Sequence, residues 1–394
     1  MSNSAKPPVS RPGRIFSGMG FFEWMSLLAQ NRFAVSSKRL MPLMGILASG
    51  LSVRPLTSAL AYAVHGRKAK NISIPTPPLF VLGHWRSGTT FLHEMLALDS
   101  RMQAPNAIEV FRPRQFLLTG DLAKRLLAKK RHSRPMDEMI FSVDKPQEDE
   151  FALINMGIPS PTLSMAFPNE PRQHAAYLTL RDLSPVAREK WKRALYTFCQ
   201  YLAYRHGQDK RLVLKTPAHT ARVRTLLEIF PDAKFIFLVR DPRRVFASTL
   251  HTYLALSRAF ALQEPDFANR MPALVEQTLK TYEVLHQAYE EDKPLIPQGN
   301  LIELRYEDLA ADPVSMLQEI YSALKLGEFA PARKAVENYL KERQGFRKNV
   351  LELSPEAQAQ VESRWGFYMR KWGYGNESSR PAAEHQRQRM DVSG

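Results

Sequence analysis

The chain has 394 residues, 44% of them hydrophobic and 24% charged, the composition of an ordinary folded protein with length for one large domain or two. Its formal net charge of +16 favours anionic partners: nucleic acid, phosphorylated cofactors, acidic glycans or an anionic membrane. The single cysteine, Cys199, excludes an intramolecular disulfide and a cysteine-based zinc site, and the ten histidines show no HxxxH-type grouping, so no metal centre is expected.

Residues 1 to 14 are polar and rich in Pro, Ser and basic residues, a composition that predicts disorder. From Phe21 to Ala69 the pattern is helical. No secretory signal is expected, because Glu23 breaks the first apolar stretch, and a cytoplasmic compartment fits. The apolar run Leu40 to Val53 is too short to span a bilayer before Arg54 and Pro55. Residues 1–70 hold ten Lys or Arg and one acidic residue, Glu23. Two readings follow: a basic helical module peripheral to an anionic membrane or receiving a lipid-like acceptor, or a helical extension packed on the main domain with its arginines solvated. The packing reading is preferred.

Asn71 to Pro78 is a proline-stiffened connector into a main domain expected over 71–375. Short apolar runs then alternate with helical patterns: "LFVLG", "RLVLK" at Arg211, "KFIFLV" at Lys234 and "LIELRY" at Leu301. This alternation predicts an α/β fold, a P-loop-like central parallel sheet flanked by helices. The stretches 100–210 and 250–295 read as a helical cap, and the polar residues 376–394 as a disordered tail.

In "FVLGHWRSGTT", Phe80 to Thr90, an apolar run enters a glycine turn that opens a helix. Such a turn aims backbone N–H groups and the positive end of the helix dipole at an anion. Thr89 stands where a nucleotide-binding loop carries lysine, which argues against γ-phosphate transfer. Arg86 instead offers a planar charged fork. In "FIFLVRDPRRVFASTL", Arg240 ends a buried strand, Asp241–Pro242 reads as a helix start, and Ser248 follows Arg240 by eight residues.

Together these segments resemble the sulfotransferases that use 3′-phosphoadenosine 5′-phosphosulfate (PAPS). The "RSGTT" form is similar to that of the tyrosylprotein sulfotransferases and many bacterial ones. Further matching segments, "LVLKTPAHT", "LRYEDLAADP" and "WGFYMRKWGY", extend the resemblance over Pro78 to Tyr374. The resemblance implies that Arg86, Ser87, Gly88, Thr89 and Thr90 cradle the phosphosulfate. It implies too that Arg240 and Ser248 bind the 3′-phosphate, and that Lys348 and Asn349 belong to a loop over the adenosine.

For the chemistry, Arg86 is the first candidate to stabilise the leaving phosphate and Lys215 the second. The acceptor's proton needs a base. Glu109 falls where the tyrosylprotein enzymes carry a glutamate and is placed ahead of His219, with the acidic cluster Glu148, Asp149 and Glu150 as a third possibility. The expected acceptor is a hydroxyl or amine of a small molecule, lipid or glycan. Two alternatives compete: a P-loop kinase or NTPase, and a non-catalytic protein binding membrane or nucleic acid. No nucleic-acid motif supports the latter.

Overall fold

The computed structural model describes residues 14–127, 132–133, 140–170, 174–343, 351 and 353–375. Five parallel strands form the central sheet: β1 (Leu79–Leu82), β2 (Met102–Gln103), β5 (Arg211–Leu214), β6 (Lys234–Val239) and β7 (Leu301–Arg305). Between β2 and β5 in the chain, the two-residue strands β3 (His132–Ser133) and β4 (Ile140–Phe141) pair with each other. The sheet order is β2-β5-β1-β6-β7. Each connection between neighbouring sheet strands crosses over through helix, which keeps the strands parallel.

Side chains alternate across the sheet with period two, and both faces are covered. Phe80, Leu82, Leu214, Phe235 and Phe237 face one core, which the long helix Pro185–His206 fills with Trp191, Leu195 and Phe198. Leu79, Val81, Val213, Ile236 and Leu238 face the other, closed by Leu92 and Met95 of Thr89–Leu96 and by Leu317 and Ile320 of Pro313–Ala323. Continuous apolar strands are what such a two-sided burial requires, so three of the apolar runs appear as β1, β5 and β6, and the fourth forms the edge strand β7, buried at alternate residues. β2 escapes sequence reading because two residues carry no period.

The N-terminal region forms the helices Phe21–Gln30, Ser37–Leu51 and Val53–Ala61. A π-turn, Tyr62–Gly66, continues the last of these into Arg67–Lys70. Phe16, Trp24, Leu27, Leu28 and Leu43 pack with Leu163, Phe167 and Leu262, so the region is seated on the main domain. Lys348, Asn349 and the residues beyond 375 lie outside the described residues, as do residues 1–13.

Two buried histidines hold hydrogen bonds in the core, His93 from its helix to strand β5 and His286 within the helix Phe267–Asp292. The His93 ring donates to the Val213 carbonyl at 3.1 Å, and burial together with the charge of Lys215 pushes its pKa down to about 3. His286 donates to the Tyr282 carbonyl at 2.9 Å, and burial and His84 push it down to about 3 as well. Between their unfolded value of about 6.5 and about 3, the unfolded chain holds protons that the folded chain does not. Stability therefore falls as pH drops through that window, by up to about 1.4 kcal/mol per pH unit for each histidine. Denaturant titrations from pH 7.5 to 5 are expected to show this loss, and His286→Phe to remove roughly one proton of the uptake. Equal uptake in both proteins would contradict the assignment of His286.

Candidate active site

In a parallel sheet all strands end on one edge, and ligand sites of such folds lie there. Four connections meet on this edge: the turn after β1 (83–88), the turn after β5 (215–221), Arg240–Asp241 after β6 and Tyr306 after β7.

The turn after β1 is built on three residues in the left-handed half of conformational space. Gly83 has φ 142°, Arg86 φ 71° and Gly88 φ 97°. Glycine is required twice for space as well as for conformation. A Cβ on Gly83 would lie 2.5 Å from the Leu238 carbonyl oxygen, and one on Gly88 would run into the ring of Tyr306. The Gly83 amide donates to Thr220 Oγ1 at 2.8 Å, fastening this turn to the one after β5, and Ser87 Oγ closes it on the His84 carbonyl at 2.8 Å. Thr89 and Thr90 then open the helix Thr89–Leu96.

Arg86 is a non-glycine residue held left-handed, a conformation that persists only when its surroundings over-determine it. Both ends are fixed. Its Nε donates to Ser248 Oγ at 2.8 Å, and its carbonyl accepts from Arg240 Nη1 at 3.0 Å. The Arg240 guanidinium lies 4.6 Å from the centre of the Tyr306 ring, a cation–π contact. Thus the two motifs recognised separately in the sequence share one hydrogen-bonded unit. Arg240 Nε is buried without a partner among the described residues, a donor suited to an anionic oxygen. Asp241 caps the helix Pro242–Phe260 by accepting from the Arg243 amide at 3.0 Å. It also pairs with the Arg243 guanidinium at 3.1 Å.

Beside the cradle, Lys215 is buried at the end of β5. Its Nζ lies 2.7 Å from Glu148 Oε1 and 3.3 Å from Thr90 Oγ1. The three consecutive acids have different surroundings. Asp149 accepts from His219 Nε2 at 2.7 Å and from Thr216 Oγ1 at 3.0 Å. Burial alone would raise its pKa, but the His219 contact and the Thr216 hydrogen bond hold the carboxyl below the usual range. Glu150 is likewise buried, yet the Arg222 guanidinium, 2.6 Å away, and Ser160 Oγ hold it low. Glu148 keeps part of its side chain, 25%, open to solvent.

Glu109 does not join this group. Its Oε2 accepts from the Asn106 amide at 2.8 Å while Asn106 Oδ1 caps Ile108 and Glu109, a reciprocal capping box for the helix Ala107–Phe111. The other oxygen meets His206 Nε2 at 2.6 Å. His219 is fully buried, with its ring edge-on to Phe80 and Trp191. Neither lines the cavity beside the cradle. Of the candidates for the base, Glu109 and His219 are engaged by partners inside the protein, whereas Glu148 lines the cavity.

That cavity is open to solvent at its mouth. Its inner end holds Trp85, Arg86, Glu148 and Thr216. Its outer walls are two helical stripes, Thr249, Thr252, Tyr253 and Leu256 facing Leu274, Gln277, Thr278 and Thr281, with Thr162 and Met165 between. Both stripes follow the spacing i, i+3, i+4, i+7, the signal that could have located these wall residues in the sequence. Among the described lining residues, only Arg86, Glu148 and Glu150 are charged.

A parallel sheet with two linked arginines on its carboxyl edge, beside a cavity with uncharged helical walls, fits an α/β group transferase. The chain belongs to the sulfotransferase family, whose family model matches residues 77–331. It is 38% identical over 369 residues to the omega-hydroxy-beta-dihydromenaquinone-9 sulfotransferase Stf3 of Mycobacterium bovis, and equally to that of Mycobacterium tuberculosis, covering 93% of each chain. In fold it resembles the solved sulfotransferase STF9 from Mycobacterium avium, with TM-score 0.64, 18% identity and 86% of each chain covered. It also resembles STF1 from Mycobacterium tuberculosis H37Rv, with TM-score 0.58 and 17% identity over 88% of this chain and 92% of that one.

The cradle's geometry gives a test that needs no substrate. Gly88→Ala is expected to cost about 1–3 kcal/mol through its left-handed backbone and the Tyr306 ring. In a Tyr306→Ala background the steric share disappears and the same substitution costs less. Denaturant midpoints of the four proteins check this, and strictly additive losses would contradict the contact.

Proposed function

We propose that this sulfotransferase moves a sulfuryl group from PAPS to the hydroxyl of an uncharged, lipid-like acceptor, with Glu148 as the base. The observation that carries the proposal is the meeting of Arg86, held by Ser248 and Arg240, with the Lys215–Glu148 pair at one end of a cavity whose two helical walls are uncharged. The curated relatives are named for action on a menaquinone-derived lipid, which supports an acceptor of that chemical class.

The residues fit the donor. Arg86, Ser87, Gly88, Thr89 and Thr90 would hold the phosphosulfate with backbone N–H groups, hydroxyls and a guanidinium. Arg240 and Ser248 would hold the 3′-phosphate, and the unpartnered Arg240 Nε is a ready donor for it. When bound, PAPS supplies the sulfuryl group and a phosphate as leaving group. The protein's own part is positioning and charge stabilisation. Arg86 and Lys215 place two positive charges where negative charge develops. Glu148 accepts the hydroxyl proton from an acceptor lying along the cavity. Asp149 and Glu150, locked by His219 and Arg222, fix the backbone that presents Glu148.

Glu148→Gln is expected to lower kcat by roughly 10²- to 10⁴-fold while the affinity for 3′,5′-ADP (PAP) stays within about twofold. Glu109→Gln is expected to keep kcat and to lose stability, since it weakens a helix cap and strands His206. Near-normal turnover in Glu148→Gln, with turnover lost in Glu109→Gln, would return the role to Glu109. Arg240→Ala is expected to weaken PAP binding about 10- to 150-fold in calorimetry. An unchanged dissociation constant, or ATP binding as tightly as PAP to the wild type, would refute the donor assignment.

A further inference from the structure

The N-terminal helices carry an outward face that the proposed reaction does not use. Along Ser37–Leu51, Leu43, Ile46 and Leu47 point inward, into the cluster that includes Leu163 and Met165 beside the cavity. The flank beside them exposes Leu40, Met41, Met44 and Leu51, with Met41 at 85%. Past a 41° bend at Ser52 the chain continues helical, and exposes Val53, Leu56, Leu60 and Val64 at i, i+3, i+7 and i+11, with Leu56 at 72%. Eight large apolar side chains on two consecutive helices therefore meet water. Soluble proteins rarely leave so continuous a patch uncovered.

We propose that this face docks the protein on an anionic lipid bilayer, lying in the plane of the interface. Charge selects the occupant. Residues 37–70 contain no carboxylate, and their exposed cations are Lys38, Arg67, Lys68 and Lys70, while Arg39 pairs with Glu264. An apolar stripe flanked only by cations is the pattern of an interfacial helix on anionic lipid. A second copy of the chain seated there would bring two such cationic segments together with nothing to neutralise them. A span is disfavoured by Arg54, which sits just past the bend and turns back into the protein. Its guanidinium donates to the Met19 carbonyl at 3.1 Å and the Ile46 carbonyl at 3.2 Å, stapling the bend to the domain. No single helix among the described residues is long and apolar enough to cross a membrane. The inner side of Ser37–Leu51 packs in the same cluster as Met165 of the cavity wall, so one helix thickness, roughly 10 Å, separates the docking face from that cluster.

The test is vesicle flotation of the full chain without donor or acceptor, so that its outcome is independent of the reaction proposed above. Wild-type protein is expected to float with phosphatidylcholine vesicles containing 30% phosphatidylglycerol, and to lose at least about tenfold in affinity on pure phosphatidylcholine or at 0.5 M KCl. Combined Met41→Glu, Met44→Glu, Leu56→Glu and Leu60→Glu should abolish flotation, while Val186→Glu, at an exposed apolar position on Pro185–His206, should not. Unchanged PAP affinity certifies that each variant is folded, and single Met41→Glu serves if the combined variant is not. The proposal falls if wild type fails to float at low salt, or if the glutamate variants float within twofold of it. It falls also if the wild type is a dimer that these substitutions dissociate, or if it resists extraction from vesicles by alkaline carbonate.

Discussion

The left-handed conformation of Arg86 organises the carboxyl edge of the sheet. An arginine keeps a positive φ only under constraint, and here the constraint is a hydrogen bond at each end: Ser248 on the side chain, Arg240 on the carbonyl. Those partners come from β6 and the helix after it, so β1 and β6 must lie side by side, as their register from Leu79↔Lys234 to Leu82↔Phe237 records. Tyr306 from β7 supports Arg240 from beyond and fills the space that Gly88 leaves open. Thr220 from the turn after β5 fastens the other flank. One strained residue is thus surrounded by all three neighbouring strand ends, and its guanidinium is aimed by the whole sheet.

The neighbouring acids show how burial divides labour among like residues. Asp149 and Glu150 are deprived of water, which would raise their pKa values, but His219 with Thr216 and Arg222 with Ser160 hold them low. Such pairs contribute little net stability against an apolar alternative, but breaking one is costly, so they fix geometry well. Their fixed geometry sets the course of the chain at Glu148, which alone of the three reaches the cavity with solvent access.

Much of this was legible in the sequence, and the failures have physical causes. β1, β5 and β6 were readable because a sheet covered on both sides demands uninterrupted apolar runs, the edge strand β7 by its alternating apolar residues, and the two anion motifs because glycine and arginine are chemically distinctive. The union of those motifs through the Arg86–Ser248 bond joins residues 162 apart, which no local pattern encodes. The same holds for His219 and Asp149, 70 residues apart, whose pairing withdraws both from the cavity. Glu109 is different. Asn106 followed three residues later by Glu109 is the spacing of a capping box, and local chemistry alone could have assigned that carboxylate to the helix end.

The wall of the cavity has a further consequence on the reading proposed here. Threonine hydroxyls, one glutamine, a tyrosine and a few aliphatic side chains give an acceptor no ionic handle beyond the inner end. Recognition along those walls rests on fit, where one methylene more or less changes specificity by about 10- to 200-fold at most. Such a site grades its acceptors by length and girth, and accepts a series of related chains rather than a single molecule.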